Sequence, residues 1–214
     1  CENENSLKCS CEFKEQKIEE NYLDGKSYIK LKVKGKGINK IFFAYDHGTF
    51  CSQFIPPDEV IINNIKKNYV YYEYDLENEE NEVILIWNDD INHLGCSFYN
   101  CENITLADLS HFKSSNVESI GGMFDGCKSL LYINFTNFDT SNCNAIHWMF
   151  NGCSSLISLD LSNFNTEKVT IIEWMFNGCA NLQYINLKNF ELSDKMNYEN
   201  IIRGIPKKFC SMYK

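Results

Sequence analysis

The sequence predicts an α+β chain in which about four strand-helix units of 26 residues stack behind a small antiparallel β domain. Three observations predict it. The pentapeptides Met123-Phe124-Asp125-Gly126-Cys127, Met149-Phe150-Asn151-Gly152-Cys153 and Met175-Phe176-Asn177-Gly178-Cys179 recur at a spacing of 26 residues. Between these anchors each copy carries two hydrophobic periods in series, one of two residues and one of three to four. Ahead of them, residues 25–87 alternate in strand fashion with no trace of the repeat.

The elements follow in chain order. Residues 1–24 are polar and charged and predict an arm, with Phe13, Ile18, Tyr22 and Leu23 available for docking. In the β-rich domain at 25–87, Tyr28–Lys34 sets apolar residues against lysines, and Gly35-Lys36-Gly37 is expected to turn into a strand over Ile41–Tyr45. Val60–Ile62 and Tyr69–Tyr72 continue the series, and Val83–Trp87 is expected to add the first strand to the repeat sheet. The repeats occupy 88–194. Their inward strand frame reads Leu130, Ile133, Phe135, Phe138, then Leu156, Leu159, Leu161, Phe164, then Leu182, Ile185, Leu187, Phe190, with Ile104, Ala107, Leu109 and Phe112 before them. After Phe164 the spacing of Val169, Ile172 and Phe176 suits a short helix, started by the Thr166 hydroxyl and stopped at Gly178. Thr140 and Gly152 repeat that arrangement, so each unit reads as strand plus helix, the composition of a leucine-rich-repeat solenoid. Residues 195–214, where the repeat decays, are expected to cap its open end.

The stretch Leu156–Cys179 closely resembles the BspA-type leucine-rich repeat of bacterial and protist surface proteins, written L-x-x-L-x-L-S-N-F-x-T-x-x-V-x-x-M-x-x-M-F-x-G-C. The resemblance covers residues 88–205. It implies a column of stacked phenyl rings at Phe112, Phe138, Phe164 and Phe190 where other leucine-rich repeats carry an asparagine ladder. It also implies a non-enzymatic interaction module, without naming a ligand.

Composition narrows the function classes. A net charge of −9 and an isoelectric point near 5.0 argue against nucleic acid as a partner. No apolar run exceeds the five residues Val83–Trp87, so no transmembrane segment is expected. Eleven cysteines, a first residue that is Cys1 rather than methionine, and sequons at Asn103 and Asn134 point to a secreted or surface-exposed glycoprotein. Cys1 is expected to mark a processed terminus, a lipid anchor or a disulfide partner. Cys1, Cys9, Cys11, Cys51, Cys96 and Cys210 are the disulfide candidates, with connectivity open. Cys101, Cys127, Cys143, Cys153 and Cys179 sit at core positions and are expected to be buried thiols.

No catalytic constellation is expected. His47, His93, His111 and His147 lie in unrelated contexts, no metal site or cofactor is implied, and no phosphate-binding glycine loop occurs. The expected binding surface is the outward strand face, with Tyr132, Asp108, Asn134, Asp160, Tyr184, Asn186 and Lys188 as its candidate residues. The expected partner is a protein or glycan at a cell surface, giving a recognition or adhesion module. The alternative is a structural subunit that binds copies of itself and assembles into an extracellular filament or coat. Six lysines without an acid at 26–40 and eight acids without a base at 69–90 suggest complementary patches for such assembly.

Overall fold

A computed structural model describes residues 16–43, 54–191 and 201. Among them run eleven strands: β1 (Gln16–Lys17), β2 (Ser27–Lys34), β3 (Gly37–Lys40), β4 (Glu59–Ile62), β5 (Ile65–Lys66), β6 (Glu73–Leu76), β7 (Glu80–Trp87), β8 (Ile104–Asp108), β9 (Tyr132–Asn134), β10 (Ser158–Asp160) and β11 (Tyr184–Asn186). Seven form one sheet in the order β1-β5-β4-β7-β2-β8-β9. β2 joins its two parts, antiparallel to β7 over eight residues and to β8 with a bulge between Lys32 and Val33. β8 and β9 pair in parallel, as do β10 and β11 in a separate sheet, while β3 pairs with β6 in another. The alternation of Tyr28–Lys34 is thus used by β2, and it is β2, not the Val83–Trp87 strand, that abuts the first repeat strand.

The continuous apolar run of β7 reflects burial on both faces. Val83, Leu85 and Trp87 enter the main core, while Ile84 and Ile86 join Tyr28 and Ile61 in a second cluster on the opposite face. Ile18, Tyr22 and Leu23 pack over that second cluster. The Tyr22 hydroxyl donates to Glu59, and Lys26 and Lys66 lie 3.2 and 2.9 Å from the same carboxylate. Burial pushes the Glu59 carboxyl up, but hydrogen bonds from Tyr22, Lys66 and Lys26 outweigh it and hold the group below its ordinary value. The described part of the arm therefore folds back on its own sheet; residues 1–15 lie outside the described set. The oppositely charged segments also meet within the chain, because β2 pairs with β7: Lys32 bonds Glu82 at 3.2 Å and Lys36 approaches Glu79 at 3.9 Å.

The expected α+β strand-helix solenoid is not what this chain builds. Among the described residues no helical element occurs, and only Ile201 has helical backbone. The segments expected to be helices run as successive turns, and the fold is all β. Their backbone groups bond from repeat to repeat instead of four residues back. Phe98, Phe124 and Phe150 donate their N–H groups to the carbonyls of Met123, Met149 and Met175 at 2.9, 2.9 and 3.0 Å, and Asn100, Gly126 and Gly152 donate to Asp125, Asn151 and Asn177 at 2.7, 2.8 and 2.7 Å. Single parallel bridges link His93 to Ser119, Ser119 to Ala145, and Ala145 to Ile171. Two left-handed residues recur in each copy: Cys96, Gly122, Trp148 and Trp174 at one position, and Asn100, Gly126, Gly152 and Gly178 at the other. A right-handed helix cannot pass through either. The β-branched run Val169-Thr170-Ile171-Ile172 is also a poor helix former, and a segment this short is marginal as a helix without help.

Thr140 and Thr166 are accordingly not helix caps. Each is buried and clamps the following repeat: the Thr140 hydroxyl accepts from the Asn165 N–H at 2.8 Å and donates to its carbonyl at 3.0 Å, and Thr166 treats Glu191 alike at 2.9 and 2.5 Å. Packing between repeats is aromatic. Phe112, Phe138 and Phe164 stack with centroids 6.3 and 6.4 Å apart, and Trp87 meets Phe112 edge-on at 5.4 Å, carrying the column into the N-terminal sheet. Phe190 packs against the same core from a partly buried position. A second column, Phe98, Phe124, Phe150 and Phe176, stacks at 5.1, 6.1 and 5.9 Å.

Five cysteines, Cys101, Cys127, Cys143, Cys153 and Cys179, are buried free thiols. Those of Cys127, Cys153 and Cys179 donate to the carbonyls of Phe98, Phe124 and Phe150, each at 3.1 Å. Burial pushes the thiols of Cys101, Cys143 and Cys179 up to about 12 and holds those of Cys127 and Cys153 well above the ordinary thiol value. Much of the cysteine count is thus packing. Cys96 is disulfide-bonded, while Cys1, Cys9, Cys11, Cys51 and Cys210 lie outside the described residues. Peptide mapping after iodoacetamide treatment at pH 8 should find these five buried thiols unlabelled in the native chain and labelled after denaturation. Rapid native labelling at Cys127 or Cys153 would contradict the packing.

Two strand expectations in the N-terminal region are also corrected. Tyr69–Tyr72 is a loop preceding β6, and Ile41–Phe43 follow β3 without strand pairing, while Ala44 and Tyr45 lie outside the described residues. The expected 195–214 cap, apart from Ile201, also lies outside them.

Candidate functional site

The outward strand face is built by period-2 alternation on β8–β11. Ala107, Leu159 and Ile185 point into the core and are buried, and Ile133 packs against it, so their strand neighbours project outward. The first outward column is Leu106, Tyr132, Ser158 and Tyr184, with Tyr132 and Tyr184 exposed at 49% and 56%. Leu106 is paired with Tyr132 and Ser158 with Tyr184. Tyr132 and Tyr184 lie in successive copies on either side of the one that supplies small Ser158, with β9 and β10 in separate sheets. Two exposed phenols flanking a small residue offer apolar ring surface and hydroxyls to a partner.

The second column is more organised than charge alternation alone requires. The Asn134 amide donates to the Asp108 carboxylate at 3.0 Å, and the Asn186 amide donates to Asp160 at 3.3 Å. Each member also accepts a backbone N–H two residues on: Ser110 to Asp108, Thr136 to Asn134, Ser162 to Asp160 and Lys188 to Asn186, at 3.0, 3.0, 2.9 and 3.2 Å. These Asx turns end every strand the same way and fix the side-chain oxygens as a row. Hydrogen bonds from Ser162, and then from Asn186, hold the Asp160 carboxyl below its ordinary value, so it is ionised at neutral pH. Lys188 is exposed at the end of the row.

The two sequons sit in different surroundings. Asn103 is half-buried, and its amide nitrogen donates to Asn39 at 2.7 Å, whereas Asn134 is exposed on the strand face. Asn134 is the more accessible of the two, and a glycan there would stand in the binding face.

Among the described residues the histidines do not converge. His47 lies outside the described residues. His111 stacks on Tyr28 at 4.7 Å, and its Nδ1 lies 2.9 Å from Ser110 Oγ, but Asp108 bonds the Ser110 N–H, so no triad forms. The His147 ring packs against Gly121, its Nδ1 is buried without a partner, and burial holds its pKa below the ordinary value. Among the described residues, no three His, Cys, Asp or Glu side chains gather as metal ligands.

One polar column was not legible as a unit from the motifs. Asn151 donates to Asp125 and Asn177 donates to Asn151, both at 2.7 Å, beneath the Met-Phe anchors. Asp125 is only 8% exposed, and burial pushes its carboxyl up to about 6. The shared Asp/Asn position before each Gly-Cys was the available signal.

No helix among the described residues is long and apolar enough to cross a membrane. A family model described as "Mycoplasma protein of unknown function, DUF285" matches residues 92–212, more than half of the chain. No curated protein and no solved structure matches the chain.

Proposed function

We propose that this chain, which belongs to the DUF285 family, is a non-enzymatic recognition or adhesion module that works outside the cell or at its surface. The observation that carries this reading is the Tyr132-Ser158-Tyr184 column beside the ordered Asp108-Asn134 and Asp160-Asn186 pairs. Two exposed phenols supply apolar contact at little conformational cost, and fixed carboxylate and amide oxygens accept hydroxyl or N–H donors. The BspA-type resemblance of Leu156–Cys179 supports a surface location. The ligand class that suits this face is a glycan or a protein loop.

The test is binding of the fluorescently labelled full chain to a printed glycan array and to intact cells. Tyr132→Ala with Tyr184→Ala is expected to weaken the binding at least tenfold while leaving thermal stability nearly unchanged, because both rings are exposed. Undiminished binding by the double variant would remove the strand face as the recognition surface.

A further inference from the structure

We propose that the Asn177-Gly178 bond is a site of spontaneous covalent modification, where asparagine passes through a cyclic imide to aspartate and isoaspartate, while the Asn151-Gly152 bond is protected. The site uses none of the strand-face residues. The chain has two Asn-Gly bonds, and both lie in the same hexapeptide: Trp148-Met149-Phe150-Asn151-Gly152-Cys153 and Trp174-Met175-Phe176-Asn177-Gly178-Cys179. Asparagine is a thermolabile residue, and a following glycine carries no Cβ to obstruct approach of its nitrogen to the asparagine side chain. Local sequence gives the two bonds the same intrinsic reactivity. Any difference between them is set by the fold.

The fold treats them unequally. Gly152 and Gly178 share a left-handed backbone, with φ of 72° and 77°, so conformation does not separate them. Hydrogen bonding does. The Gly152 N–H donates to the Asn177 carbonyl at 2.7 Å, and Gly152 is half-buried. The Asn151 carboxamide is held at both ends, donating to Asp125 and accepting from Asn177, each at 2.7 Å. Reaction at Asn151 therefore requires all of these bonds to open first. Asn177 stands at the end of the ladder. Its amide nitrogen donates to Asn151, but among the described residues no donor reaches its Oδ1 and no acceptor reaches the Gly178 N–H. Gly178 is exposed, so a base in solvent can reach that N–H.

The step needs only water. Solvent base removes the Gly178 amide proton, and the nitrogen attacks Cγ of Asn177. The new N–Cγ bond closes the imide ring as the Cγ–Nδ2 bond breaks, and Nδ2 leaves as ammonia after taking a proton from water. Water then opens the ring at one of its two carbonyls, giving aspartate or isoaspartate with no change of oxidation state. Both products lose the Nδ2 donor to Asn151 and place a carboxylate against an acceptor oxygen. In isoaspartate the main chain runs through the former side chain, so the carbonyl that accepts from the Gly152 N–H leaves the backbone. The modification thus loosens the joint between the last two copies of the anchor.

The experiment follows both bonds in one molecule. The full chain is incubated at pH 8, folded in one sample and urea-denatured in another, then digested with trypsin. Cleavage at Lys128, Lys168 and Lys188 puts the two Asn-Gly bonds on separate peptides, 129–168 and 169–188. Fragment-ion mass spectrometry measures aspartate and isoaspartate at each. In the folded chain Asn177 is expected to convert about tenfold faster than Asn151, and in urea the two rates should agree within about twofold. A folded-state ratio equal to that in urea, faster conversion at Asn151, or an Asn177 that stays intact in the folded chain would overturn the proposal. Thermal melts of fresh and aged chain complete the test. A lower midpoint is expected after ageing, and an unchanged one would overturn the loosened joint.

Discussion

Phe164→Ala is expected to destabilise the chain by about 3–5 kcal/mol, the range for truncating a fully buried phenylalanine. Phe164 is 1% exposed, stacks on Phe138 at 6.4 Å and receives the edge of Phe135 at 5.1 Å. Its loss opens a void between two repeats that cannot close, because the repeat spacing is pinned by the Thr140 clamp and the backbone bonds beside it. Urea denaturation of the variant beside the unsubstituted chain measures the difference. An unchanged midpoint would reject the phenyl column as a source of stability.

The second large effect is opposite in sign. Asp125→Asn is expected to stabilise the chain at pH 7.5 and to lose that advantage in acid. Burial is the main reason the Asp125 carboxyl rises from 3.8 to about 6, with the Asn151 amide partly countering it. The folded state therefore binds this proton more tightly than the unfolded state. The contribution to stability is fully present below about pH 4 and is lost as pH rises through about 6. Asparagine keeps the acceptor for Asn151 and removes the charge, extending the amide ladder that Asn151 and Asn177 already form. Allowing for partial solvent screening, the gain at pH 7.5 is about 1–2 kcal/mol. Thermal melts of both proteins from pH 4 to 8 check it, and an advantage for the variant that does not shrink toward pH 4 would be incompatible with a buried, charge-penalised Asp125.

These two residues show how far the sequence could be read. A spacing of 26 made the buried thiols legible, since identical positions in stacked units share one environment, and the BspA-type resemblance implied the phenyl column. The outward strand columns followed from period 2. The turns did not, because Val169, Ile172 and Phe176 keep the same three- and four-residue spacing whether the chain coils as a helix or folds back through tight turns. The deciding feature was left-handed backbone at Trp148 and Trp174, and tryptophan gives no local sign of it. Gly122 at the equivalent position was the one residue type that hinted at it. Tyr69–Tyr72 was misread because the residues favoured in strands are also those of an exposed aromatic loop. The Asx turns of the strand face depended on which backbone N–H each side chain reached, which spacing alone does not specify.

Resonance assignment of residues 114–179 tests the helix-free stack most directly, since both the strand face and the aromatic columns depend on it. Amide contacts from Phe124 to Met149 and from Phe150 to Met175 are expected, with left-handed backbone at Trp148 and Trp174. An unbroken run of contacts between residues three apart from Glu167 to Asn177, without those links between repeats, would show helices where turns are described and contradict the fold.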